Sequence, residues 1–150
     1  MTAETTRFTT EDWSALAGAP LLTAMWIVAG HRRRGRAMLA VLRAYRDAQR
    51  ACETELMREL LATSPAGAIE KPKDPATLRR EAPDELRRAV AALERSGTPD
   101  ERSEYRRLVL ALAEAAATAA REGGLLRRGR EQPSDGERET LRSIEAILGG

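Results

Sequence analysis

One cysteine, one histidine and five aromatic residues among 150 leave several common chemistries without their reagents. Cys52 alone cannot form an intramolecular disulfide, which fits a reducing compartment and a cytoplasmic protein. Cys52 and His31 together fall short of the four ligands of a structural zinc site. No histidine stands three residues after a glutamate, so a di-iron bundle of the Glu-x-x-His type is excluded. There is no Walker loop and no Gly-x-Gly-x-x-Gly for a nucleotide. The sequence therefore assigns no catalytic residue, no metal ligand and no cofactor, and implies a protein that is not an enzyme. Lysine is nearly missing too. Of 25 basic residues only Lys71 and Lys73 are lysine, and 23 acidic residues bring the net charge to +2.

Long apolar runs are also scarce. The longest charge-free run, Trp13 to Gly30, only touches the lower limit for a spanning helix, roughly 17 residues. Gly18 and Pro20 interrupt it, so no transmembrane span is expected. The N-terminus MTAETTRF carries no basic region followed by an apolar core, and so no secretory signal is expected.

What the chain does have is helix signals, in sequence, from end to end. Hydrophobic content of 42% and charged content of 32% suit a single globular domain over 1–150. Thr9 is placed to cap a first helix, with Glu11 and Asp12 in its first turn and Phe8 and Trp13 set for a hydrophobic staple. Gly18 is expected to end that helix and Pro20 to start a second, buried one, LLTAMWIVA. A long central helix is expected over about 36–62, because Met38, Leu42, Tyr45, Cys52, Leu56 and Leu60 make one stripe. Cys52 then reads as a core residue. A Pro/Gly loop follows at 63–75. Asp74-Pro75 opens a short turn to Arg80, Pro83 restarts a helix, and Ser96-Gly97 closes it. Thr98, Pro99 and Glu101 form a capping box, opening a helix to about Glu122. Gly123-Gly124 stops that helix, and Ser134 with Glu137 repeats the box before a last helix carrying Leu141, Ile144 and Leu148. The fold class is all-α: one compact bundle of five to six helices.

Two arginine-rich turns remain, HRRRGR at 31–36 and RRGR at 127–130. Each follows an apolar helix, whose negative dipole end favours cations. If the fold joins them, Arg32, Arg33, Arg34, Arg36, Arg127, Arg128 and Arg130 form one patch for phosphate or an acidic partner. No aromatic residue lies in either turn to stack on bases, so nucleic acid would be held by its backbone charge. Among the carboxylates, Glu55 and Glu59 share a face at i, i+4, but neighbouring arginines make it an ion-pair face. Glu114 and Glu122 lie in alanine-rich sequence and are candidate active groups if buried.

The opening FTTEDWSALAGAPLLTAMWIVAG (8–30) and the closing AEAAATAAREGG (113–124) with SDGERETLRSIEAILG (134–149) resemble the two ends of a family of small, uncharacterised, all-helical bacterial proteins. The last segment is also similar, more weakly, to tellurite-resistance TerB-like helical domains. The resemblance covers about a third of the chain and implies a fold, with no catalytic residue to carry over. Arginine stands at both turns, where the family pattern has a short polar or acidic Gly-containing turn after the second helix and a glycine- and phenylalanine-rich turn after Gly124, which places any TerB-like acidic metal site in doubt.

Sequence alone thus points to a cytoplasmic helical interaction or stress-associated accessory protein, with a protein partner or a second copy of the chain to bind. The alanine-rich face of 111–120 and the apolar 21–29 are candidate partner surfaces only where the fold leaves either exposed. Two alternatives stand beside it: a polyanion or nucleic-acid binder using the arginine turns, and a peripheral membrane protein attached through 21–36.

Overall fold

A computed structural model describes residues 7–29, 34–62, 74–122 and 135–149. They form six helices and no strand: α1 Thr10–Ile27, α2 Arg34–Ala51, α3 Glu55–Ala62, α4 Pro75–Ser96, α5 Pro99–Glu122 and α6 Asp135–Ile147. α1 is the hub, packing most extensively on α4 and α5, while α2 packs on the other flank of α5 and α6 leans on α4 and α1. The all-α bundle is as the sequence implies.

The local caps form as their residues dictate. Thr9 Oγ1 accepts from the Asp12 N–H at 3.0 Å, and Phe8 meets Trp13 with ring centroids 6.4 Å apart. Thr98 and Glu101 exchange N–H bonds of 3.1 and 2.9 Å. The buried Glu101 carboxylate also takes two bonds from Arg7, at 3.1 and 2.7 Å, while Arg7 donates to the Ser96 carbonyl at 2.6 Å. Buried Asp12 accepts from Arg95 at 3.2 Å. Residues 7–12 thus strap the α4–α5 corner to the start of α1. That corner turns at Gly97, where a Cβ would come 2.8 Å from the Leu93 carbonyl oxygen.

Three expectations about helix boundaries are corrected. Gly18 and Pro20 do not divide α1, which runs unbroken through both. Pro20 has no N–H for the carbonyl four residues back, that of Leu16. The Tyr105 hydroxyl from α5 donates to that carbonyl instead, at 2.9 Å. Burial first, then the Glu85 carboxylate, pushes the Tyr105 phenol well above its ordinary range, so it stays a donor. Pro83 likewise lies inside a single α4. The carbonyl it orphans belongs to Arg79, an exposed residue that solvent reaches. Third, the central helix is broken. α2 ends at Ala51 and α3 starts at Glu55, so Cys52 sits at a half-buried corner rather than on a mid-helix core stripe.

The core is built largely of alanine and leucine. Ala15, Ala19 and Ala24 of α1 and Ala82, Ala89 and Ala92 of α4 are all buried; side chains this small let the two helices approach closely. Thr23 lies in the same core, fully buried, and its hydroxyl has no partner among the described residues. Thr23→Val replaces that hydroxyl with a methyl of similar size. It is expected to raise stability by about 1 kcal/mol, seen as a rise of roughly 2–4 °C in Tm. A fall in Tm would mean that the hydroxyl is satisfied after all.

Candidate functional site

A concavity opens at the break between α2 and α3. Thr54 caps α3 through its hydroxyl, which accepts from the Met57 N–H at 3.2 Å. The chain at the break is held by Glu104, a carboxylate of α5. It accepts from the Glu53 N–H at 2.6 Å, from the Thr54 N–H at 3.1 Å and from the Thr54 hydroxyl. A strut closes the other side, Gln49 Nε2 donating to the Leu61 carbonyl at 2.6 Å.

Burial of Glu104 works to raise its pKa. The Thr54 hydroxyl, the two backbone N–H donors and the Arg107 charge outweigh it and hold the carboxyl below the ordinary 4.5. Glu104 is therefore ionised and fully engaged at neutral pH. A carboxylate that accepts three bonds from the fold serves as a structural anion, unlike the proton-exchanging group that catalysis needs.

Glu104 bonds the Glu53 N–H near the start of α5, while Ala44 of α2 and Ala111 of α5 line the same groove further along the two helices. The two helices are therefore antiparallel. Between them, and roofed by α3, runs a groove of about 480 Å³. Ala44, Ala48 and Ala51 line it from α2, Leu108 and Ala111 from α5, and Met57 and Leu61 from α3. Alanine at i, i+4 and i+7 leaves the space that larger side chains would fill. Asp47, Glu53, Glu104 and Arg107 make its polar border, and Cys52 lies in its wall. The volume is that of a small-ligand or side-chain pocket, roughly 300–1,000 Å³.

The residues singled out by sequence fall elsewhere. Arg32, Arg33, Arg127, Arg128 and Arg130 lie outside the described residues, as do His31, the Gly123-Gly124 stop, Ser134 and 63–73 of the loop. Arg34 opens α2 and Arg36 is exposed. Because α2 and α5 are antiparallel, the start of α2 and the end of α5 lie at the same end of the bundle. Glu114 is exposed, so it is not a buried active group. The expected partner surfaces are core: Leu21, Ala24, Ile27 and Val28 are buried, as are Leu112, Ala113, Ala116, Ala117 and Ala120. Among the described residues no three His, Cys, Asp or Glu side chains converge as metal ligands, and no helix is long and apolar enough to cross a membrane.

Sequence reasoning missed Glu104. Its signal was faint, one glutamate among many, two turns into a charged helix start. No protein-family model, curated protein or solved structure matches this chain.

Proposed function

We propose that this chain is a non-enzymatic helical interaction protein, and that the groove between α2, α3 and α5 seats an apolar group of its partner. The observation that carries the reading is the groove itself, with an alanine and leucine lining, a charged border, and a carboxylate already consumed by the fold. An apolar lining offers burial to a ligand, and the border orients it. A cytoplasmic accessory role belongs to the same reading and draws its support from the single cysteine. Membrane attachment through 21–36 has less behind it, since its apolar half is buried in the bundle.

Nile red, a neutral apolar dye, tests the groove. The protein is expected to bind one dye molecule, and Ala48→Trp to weaken that binding by about tenfold or more. Ala91→Trp, in the shallower depression between α4 and α6, should leave it unchanged. Equal binding by wild type and Ala48→Trp, with unfolding curves superimposed, would remove the groove from the account.

A further inference from the structure

The solvent face of α2 is rich in arginine, with Asp47 at its edge. Arg36, Arg43, Arg46 and Arg50 are all exposed. With Leu39 they recur at spacings of three and four, so at about 100° per residue they share one arc roughly 80° wide. The arc lies opposite the buried Ala37, Val41 and Tyr45. Of the arginines on other helices, some are paired, Arg58 with Glu55, Arg87 with Asp84 and Arg95 with Asp12, and others such as Arg79, Arg80 and Arg88 are not; what distinguishes α2 is the alignment of its arginines. Arg36, Arg43 and Arg46 make no ion pair with any described residue. Arg50 reaches only Asp47, at 4.0 Å with both side chains exposed, and Asp47 is the sole acidic residue in α2.

Unpaired like charges aligned along a helix repel one another, a cost of a few tenths of a kcal/mol per pair that a bound polyanion would remove. The chemistry of the face decides among polyanions. A membrane-surface helix needs an apolar face free to insert, and that of α2 is already buried in the bundle. A partner helix needs a row of apolar anchors, whereas Leu39, 60% exposed, is the one large apolar side chain on the arc. Packing a helix over four guanidiniums would also bury their charge. Phosphates demand neither. They accept guanidinium in the bidentate geometry while staying hydrated. No aromatic residue stands on the arc to stack on unpaired bases, which favours a duplex over a single strand. The arc spans roughly 21 Å along a helix about 10–12 Å across, and the B-form major groove is about 12 Å wide.

We infer that the exposed face of α2 is a docking surface for duplex DNA, held through its phosphates by Arg36, Arg43, Arg46 and Arg50 without reading sequence. This surface is independent of the α2–α3–α5 groove, and Ala48→Trp should leave DNA binding unchanged.

Fluorescence anisotropy with a labelled duplex of about 20 base pairs, roughly two helical turns, tests it. Four neutralised phosphates should give log Kobs against log salt a slope near −3.6, at about 0.9 per phosphate. The combined variant Arg36→Gln, Arg43→Gln, Arg46→Gln, Arg50→Gln should bind about 100-fold more weakly at low salt, with a nearly flat slope. These side chains are exposed, so its unfolding curve should match the wild type. A charge-matched variant on other faces, Arg79→Gln, Arg80→Gln, Arg88→Gln, Arg142→Gln, should bind as the wild type does. Equal losses in the two variants would reduce the effect to net charge and overturn the assignment. So would tighter binding to polyglutamate or to phosphatidylserine vesicles than to the duplex at equal salt, or no binding to the duplex at low salt.

Discussion

Glu104→Ala lowers stability by about 3 kcal/mol at neutral pH, the cost of leaving the donors at the α2–α3 break without their charged acceptor. In a chain this size that is a fall of roughly 6–12 °C in Tm. Glu104→Gln keeps one acceptor oxygen but turns an NH₂ toward the donors, and falls between the two. The effect carries a pH signature. The folded pKa of Glu104 is lowered from 4.5, so its contribution is complete above that value and is lost as pH falls through the folded value. Wild type and Glu104→Ala should therefore differ most at neutral pH and converge in acid. Urea unfolding at pH 7 and near pH 3 checks this. A gap that stays constant with pH would mean that the carboxylate charge contributes nothing.

Tyr105→Phe is expected to cost about 1.5 kcal/mol, because it strips the donor from the Leu16 carbonyl in a site without water access. Cavity terms are small, since only the hydroxyl is removed. The decisive measurement is a double-mutant cycle with Pro20→Ala. An alanine there restores the backbone N–H four residues after Leu16, and the carbonyl regains its helical partner. In that background Tyr105→Phe should cost about 1 kcal/mol less, a coupling well outside the additivity of independent sites. Equal costs in the two backgrounds would show that the hydroxyl does not compensate for the proline.

These two side chains also mark where sequence reading stopped. Thr9 with Asp12, and Thr98 with Glu101, act within one helical turn, and their spacing was enough to place both helix starts. Pro20 reads as a boundary because its local effect is to break a helix. The compensation comes from Tyr105, 85 residues further along, which no local pattern contains. The break at Cys52–Thr54 is hidden for the converse reason. Tyr45, Cys52, Leu56 and Leu60 keep a helical rhythm across it, and the group that fixes the bend belongs to another helix. The groove followed the same fate, since it exists only because α3 turns away from α2. The spacing of Arg43, Arg46 and Arg50 sets them off the stripe of Met38, Leu42 and Tyr45. Which acidic side chains come near them depends on the fold, and among the described residues only Asp47 of the same helix reaches one of them, Arg50.

Glu104 connects the fold to the groove, for the carboxylate that holds the chain at Glu53 and Thr54 also lines it. Amide hydrogen exchange at those two residues tests this most directly. Both N–H groups should be protected in the wild type although Glu53 is exposed and neither residue is helical. In Glu104→Ala both should exchange about 100-fold faster, a loss of roughly 2.7 kcal/mol of local protection, beyond any change in the buried amides of α1 and α4. Wild-type amides at Glu53 and Thr54 that exchange as freely as an open loop would contradict the account.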